Sequence, residues 1–376
     1  MMYMRIKTIT CHEVYNYGAI LQEYALLKYL NDEGHDAEVI HYKPSYLSGH
    51  FRLDVVSNPK WNKPVIKQLY LFAKLTGRLR DLKRKKTFDL FSQKYIPVNS
   101  KLYTTNEELK NDLPAGDAYI CGSDQIWNSF FQNGKDPAFY LYFVPDNRLK
   151  IAYAASFATD TIEEDIKAFV KNGVSRLDAV SVRETSGLRI LEELGIKNAV
   201  QVLDPVFLLP ASHWKENFIS PIEEDYIFIY DFDNNPFLKE QAIRIKKKYG
   251  YKIYAANKNI KYADKNFYLE GPEKFLSLIY SSKLNISNSF HALAFSIIFN
   301  KRFIAFNRFE EINTRMKDLL AAFNLPPMNI SENQIALIEN YSTEVDTNLF
   351  NRLVDDSKHF LNNALVISCN TTNQYG

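Results

Sequence analysis

The chain has 376 residues, of which 46% are hydrophobic and 24% charged, and 46 Lys and Arg against 44 Asp and Glu leave a net charge of +2. At about 150 residues per domain this is too long for one ordinary core, too apolar for a disordered chain, and too nearly neutral for the positive field that nucleic-acid binding needs. Cys11, Cys121 and Cys369 form a sparse, odd set without metal-ligand spacing, which excludes a disulfide framework and a zinc site of sequence-readable type.

The first ten residues lack the apolar stretch of a signal peptide, and no run approaches the roughly 20 apolar residues of a spanning helix. The expectation is a cytoplasmic protein. Residues 6–11 read as a strand, broken by His12 to Gly18. Ile20, Leu21, Tyr24, Leu27 and Leu30 then recur at helical spacing, and a second strand spans 37–42, so the chain opens with a βαβ unit. Residues 43–97 break this rhythm as a basic, helical insertion. Strands return at 118–121, 151–156, 179–182 and 200–203, with helices over 161–172 and 185–194. This domain closes by residue 210, and prolines 205, 210 and 221 mark a crossing.

Alternation then restarts, with strands at 226–230, 252–255, 284–287 and 302–306. Helices span 236–249, 272–281, 290–299 and 313–323. Repeated βα units imply parallel sheets covered on both faces. The pattern therefore predicts an α/β protein of two Rossmann-like, doubly wound domains, 1–210 and 222–345, facing a cleft. A last helix over 346–365 packs back across the junction, ahead of a polar tail to 376. Strand ends from both domains reach the cleft, as in B-type glycosyltransferases.

Four strand-to-helix loops carry the candidate chemistry. Asn16, Tyr17 and Gly18 open the first helix, where Gly can present backbone N–H groups to an anion, or Asn16 can simply cap the turn. Gly122, Ser123, Asp124, Gln125 and Asn128, with Trp127 among them, offer a dense set of groups for hydroxyls. Arg183 directly follows an apolar strand and can fork onto a carboxylate or phosphate, or pair with Glu184. Ser287, Asn288 and Ser289 are caps and anion ligands ahead of His291, whose place in the first helical turn suits a neutral base or hydrogen-bond donor. Weaker candidates are Glu273, which either complements a helix dipole or holds a sugar hydroxyl, and Arg308, Asn313 and Arg315, available to a second anion. Between residues 60 and 86 stand ten Lys or Arg and one acidic residue, interleaved with apolar ones. This is either a solvated helix face or a peripheral contact with anionic lipid.

In order, Asn16-Tyr17-Gly18-Ala19, Gly122-Ser123-Asp124-Gln125-Ile126-Trp127-Asn128, Ser181-Val182-Arg183-Glu184, Leu203-Asp204-Pro205 and Ser289-Phe290-His291-Ala292 resemble polysaccharide pyruvyl transferases of bacterial surface-glycan clusters. The resemblance spans about residues 5–325. It implies a fold similar to B-type glycosyltransferases and transfer of pyruvate from phosphoenolpyruvate to a sugar of a surface polysaccharide or its lipid-linked precursor. The product would be a cyclic ketal, phosphate the leaving group, and no cofactor or metal would be needed. Arg183 then matches the family's phosphoenolpyruvate arginine and His291 its donor-site histidine, with Asp124 and Gln125 as acceptor or base residues. Ser289 departs from the pattern, because many members carry Arg there; Arg302, Arg308 or Arg315 could supply the missing charge. The competing readings are a nucleotide-sugar glycosyltransferase, with Glu273 on a ribose and the Ser287–Ser289 loop on a diphosphate, and a non-catalytic partner in glycan assembly.

Overall fold

A computed structural model describes residues 3–47, 64–258, 260–309, 313–327 and 343–371. Residues 60–63 of the basic segment and the tail 372–376 lie outside them. The N-terminal half is built on β1 (Arg5–Ile9), α1 (Tyr17–Asp32), β2 (Asp36–Val39), α2 (Pro64–Tyr95), α3 (Asn106–Asn111) and β3 (Ala118–Cys121). It continues with β4 (Leu149–Ala155), α4 (Lys167–Val174), β5 (Ala179–Val182), α5 (Thr185–Glu193) and β6 (Val200–Gln201). All pairings are parallel, in the order β2-β1-β3-β4-β5-β6. β3 and β4 are buried along their whole length, as expected of strands covered on both faces.

α6 (Ala211–Phe218) leads into the C-terminal half. There β7 (Tyr226–Tyr230), α7 (Pro236–Tyr249), β8 (Lys252–Ala255), β9 (Lys265–Asn266), α8 (Pro272–Ser281) and β10 (Leu284–Ser287) follow. α9 (Phe290–Ile298), β11 (Phe303–Ala305), α10 (Thr314–Ala322) and α11 (Thr347–Thr371) complete the chain. The second sheet is also parallel, ordered β11-β10-β7-β8-β9. Two parallel, helix-covered sheets match the α/β architecture read from the sequence.

Topology places the site. In a doubly wound sheet the crevice opens where the strand order reverses, outside the carboxyl ends. That point lies between β1 and β3 in the first sheet, where Ile9 is level with Cys121. In the second it lies between β7 and β10, where Tyr230 is level with Ser287. The loops leaving these four strands are the ones rich in polar residues.

Three elements tie the halves together. α1 is buried nearly all round, because it packs on its own sheet and on the C-terminal half. On α2, Arg84 donates to Tyr17 Oη at 2.9 Å, to the Tyr15 carbonyl at 3.2 Å and to the Tyr268 carbonyl, with its guanidinium over the Tyr17, Phe88 and Tyr268 rings. The basic insertion is therefore an arm reaching across both halves. α11 returns to the N-terminal half, where Ser357 Oγ accepts from the Leu203 N–H at 2.9 Å and Tyr29 Oη donates to Asn362 Oδ1 at 3.2 Å. Three of these elements escaped the sequence pattern: α3 is a short polar helix of six residues, α6 is hidden by the prolines around it, and β9 has only two residues.

Candidate active site

A cleft of about 560 Å³, counting its open mouth, lies between the two switch points. Asn16, Asp124 and Gln125 line it from the N-terminal half, and Phe232, Asn288, Ser289, Phe290, His291, Arg308, Arg315 and Met316 from the C-terminal half. Two of the three candidate catalytic residues, His291 and Asp124, thus meet across it.

Arg183 stands directly behind this wall. Its guanidinium lies over the Phe290 ring, 4.5 Å from the centroid, pairs with Asp204 through Nη1, and meets Asp124 Oδ1 at 3.4 Å through Nη2. Only 1% of its side chain is exposed. An open anion clamp is therefore the wrong picture: two carboxylates already occupy the fork. Glu184, the partner considered from sequence, instead accepts from Ser156 Oγ and the backbone N–H groups of Phe157 and Ala158, and so holds the end of β4.

Asp204 is the residue that sequence reasoning left without a role. It is fully buried, and its Oδ2 pairs with Arg183 and stands 3.5 Å from His291 Nε2. Its Oδ1 accepts from the Val206 N–H at 3.1 Å. Burial alone would raise its pKa, but the charges of Arg183 and His291 and the hydrogen bonds outweigh that and hold the carboxyl well below the usual range. The only sequence signal was an Asp-Pro pair closing an apolar strand.

Arg315 is the other cation at the wall. Its Nη1 is 3.6 Å from Asp124 Oδ1, its guanidinium is 5.7 Å from the Phe290 ring centre, and its Nε is buried without a partner. Burial, then repulsion from Arg183, push its pKa down to about 10, despite Asp124, Glu184 and Asp204. It remains a cation at neutral pH, and it is undercompensated. Of the other arginines considered for the charge missing at Ser289, Arg308 is engaged by Asp233 at 3.1 Å and stacks over Phe232. Arg302 lies at the opposite end of the sheet, where its carbonyl accepts from the Asn285 N–H.

The remaining candidates divide into linings and scaffolds. Asn16 caps α1, accepting from the Gly18 N–H at 2.9 Å, so that N–H is not free for an anion. Gly18 has a different use: a Cβ there would sit 1.9 Å from His291 Nδ1. Tyr17 points away from the cleft, stacked on Phe275 with its hydroxyl donating to the Glu270 carbonyl. Gly122, at φ +117, is required because a Cβ would meet the Tyr153 carbonyl at 2.2 Å. Ser123 Oγ donates to the Ala154 carbonyl, Asn128 donates to Gln125 Oε1, and Trp127 is buried against Tyr140. That loop is mostly scaffold, and only Asp124 and Gln125 reach the cleft.

Ser287 Oγ donates to the Tyr230 carbonyl and accepts from the Ser289 N–H, so it braces the switch point and does not grip an anion. Asn288 donates to Asp231 and Asp233. Ser289 provides no side-chain cap to α9, and Ser289, Phe290 and His291 at the start of that helix line the cleft. Glu273 lies on the α2 side of the molecule, beside Gly271 and Thr87, and not in the cleft.

A second polar cluster sits in the β1–α1 loop. His12 Nδ1 is 2.7 Å from Glu23 Oε1, and its Nε2 faces Glu13 at 3.8 Å. The donor atoms of His12, Glu13 and His41 lie within 4.8 Å of one another, a grouping that sequence spacing did not reveal. Lys43 pairs with Glu13, and Glu13 and Tyr15 both have positive φ. Burial disfavours a charged His12, but Glu23, by charge and hydrogen bond, and then Glu13 outweigh it and raise its pKa. A raised folded pKa stabilises the fold fully below the unfolded value of about 6.5, and this contribution is lost as pH rises through the folded value. Thermal melts should therefore show a stability loss on going from pH 6 into the alkaline range that His12→Gln flattens. An unchanged slope in the variant would remove His12 as its source.

Two doubly wound α/β halves, with Arg183, Asp204 and His291 in contact where they meet, define a two-domain protein whose site is shared between its halves. The chain belongs to the polysaccharide pyruvyl transferase family, whose profile matches residues 16–308, and it is accordingly a transferase. No curated protein matches it in sequence. Solved structures similar to it include UDP-N-acetylglucosamine 2-epimerase from Rickettsia bellii, at 13% identity and TM-score 0.49 over 100% of this chain and 99% of that one. An alpha-glucosyltransferase in complex with UDP gives 10% and 0.46 over 95% of each chain. Arabidopsis thaliana UGT89C1 complexed with UDP-L-rhamnose gives 10% and 0.48 over 98% of this chain and 100% of that one. Likeness this distant says nothing of a shared ligand.

Proposed function

We propose that this transferase moves pyruvate from phosphoenolpyruvate to a sugar of a surface polysaccharide or its lipid-linked precursor, forming a cyclic ketal and releasing phosphate. One observation carries the reading: His291 and Asp124 meet at a cleft whose wall holds Arg315 and the uncapped start of α9. Phosphoenolpyruvate brings a phosphate and a carboxylate, and a helix N-terminus with a buried, undercompensated arginine suits such anions. Arg315 stands in for the cation that Ser289 lacks.

The chemistry balances without another reactant. A proton goes to the methylene carbon, and the electron-poor neighbouring carbon takes the first sugar hydroxyl. The second hydroxyl then displaces phosphate at that carbon. Of the two hydroxyl protons, one replaces the proton delivered to the methylene group and the other leaves on phosphate. His291, with Asp204 behind Nε2, is the acid/base group or phosphate ligand, and Asp124 takes a hydroxyl proton with Gln125 orienting the acceptor. Arg183 is a positioning residue, holding Asp204 and Asp124 in place. The nucleotide-sugar alternative is weakened by Glu273, which lies outside the cleft where a ribose ligand was wanted.

Thermal shift separates these readings. Phosphoenolpyruvate at 100 times its dissociation constant should add about 2.7 kcal/mol of stability, whereas stabilisation by uridine or guanosine diphosphates alone, or by neither ligand, overturns the proposal. Phosphate release in the presence of a lipid-linked glycan then tests turnover. Arg315→Met should raise KM for phosphoenolpyruvate roughly 10- to 100-fold, the worth of one charged hydrogen bond, while leaving the melting temperature of the free protein close to wild type. An unchanged KM would show that Arg315 does not touch the donor.

A further inference from the structure

We infer that the outer half of α2 is a docking surface for an anionic phospholipid bilayer. Phe72, Leu75 and Leu79 are 80%, 39% and 47% exposed. Their spacing of three and four residues puts them on one stripe of the helix, and the same stripe continues through exposed Lys83 and Lys86. Exposed Arg80 lies to one side of it. The opposite face of the inner half is the packed one, with Arg84, Phe88 and Phe91 buried.

Charge decides what covers this stripe. The two acids of α2 are both neutralised within the molecule. Asp81 accepts from Lys258 Nζ at 2.8 Å and Tyr268 Oη at 3.0 Å, and Asp89 accepts from Lys85 at 2.6 Å. What remains outward is apolar and cationic, the composition that seats a helix at a headgroup boundary, with aromatic and leucine side chains among the acyl chains and lysines on the phosphates. No helix among the described residues is long and apolar enough to cross a membrane, so the contact is peripheral.

The stripe also points somewhere useful. Phe88 packs against Tyr15 in the β1–α1 loop, whose last residue, Asn16, lines the cleft. Lys86, at the inner end of the stripe, is two residues from Phe88, so α2 would lie along the bilayer and carry this loop beside the headgroups, within reach of the glycan of a lipid-linked acceptor. This geometric consequence rests on the pyruvyl transferase reading, but the lipid contact itself does not.

Flotation of the full chain tests it, using phosphatidylcholine vesicles with and without 30% phosphatidylglycerol at low and high salt. The expected result is flotation only with the anionic vesicles, weakened by salt. Lys83→Gln with Lys86→Gln should lower the partition coefficient roughly 25-fold, about fivefold per lysine, and Phe72→Ser with Leu79→Ser should lower it independently. Unaltered melting curves of both double variants would exclude unfolding as the cause. Failure of the wild-type chain to float at low salt overturns the inference. So does equal binding to neutral vesicles, or a wild-type dimer on gel filtration that Phe72→Ser dissociates, which would make a second copy the occupant. Phosphoenolpyruvate-induced thermal shift in the absence of vesicles keeps a failure here distinct from a failure of the proposed reaction.

Discussion

Gly18→Ala is expected to abolish most turnover, by about 100-fold or more, while leaving the fold intact. Local propensity argues the other way, since Ala is favoured over Gly inside a helix by roughly 1 kcal/mol. Gly18 lies in the first turn of α1 with ordinary helical geometry, so the backbone tolerates a side chain. The obstacle is the neighbour: a Cβ would fall 1.9 Å from His291 Nδ1, 2.3 Å from its Cγ and 2.5 Å from its Cε1. The whole ring must turn away, which takes Nε2 from Asp204. A misplacement of about 1 Å in a reacting group costs on the order of 100-fold. The readout is phosphate release beside a melting curve. Near-normal kcat with a displaced His291 would show that this imidazole is not part of the chemistry.

The second large effect is on stability. Arg183→Met removes the cation from between two carboxylates, one of them fully buried. Breaking a buried pair from one side leaves an uncompensated charge and costs about 3–5 kcal/mol. Asp204→Asn should also be costly, but Arg183→Met with Asp204→Asn should be less destabilised than the sum of the singles, because no lone charge remains. Chemical denaturation of the four proteins closes the cycle, and strict additivity would mean the pair is not coupled. The pH dependence has a definite sign. Asp204 has a depressed pKa, so its contribution is present above the unfolded value of about 3.9 and is lost as pH falls through the folded value. Acid unfolding of the wild type should therefore be steeper below pH 4 than that of the Asp204→Asn protein.

The fold was legible because its signals are local. β3, β7, α7, β8, α8 and β10 begin and end where apolar runs and caps placed them. Pro236 and Pro272 occupy first helical positions and Gly250 sits past a helix end at φ +73. The site was legible only as loops. Which residue of a loop faces the cleft depends on contacts hundreds of positions away, so Asp124 and Trp127, three residues apart, have opposite fates. Asp204 went unassigned because its partners come from the residue after β5 and from α9, and no spacing joins them. Gly18 was noticed for its backbone, whereas its importance is the missing side chain. Arg315 was one of several arginines of equal standing until Asp233 claimed Arg308 and the sheet carried Arg302 to its far edge.

The contact between Gly18 and His291 has an evolutionary consequence. Each half of the molecule has its own parallel sheet, so recombination between relatives at the 205–225 crossing would join complete sheets. Yet the histidine from one half lies in a hollow that the other half leaves by omitting a single methyl group, and its carboxylate partner precedes the crossover. A chimera that imports a C-terminal half with another residue at position 291, or an N-terminal half without the glycine, would fold into two sound domains around a broken seam. The two halves are therefore expected to be inherited as a pair.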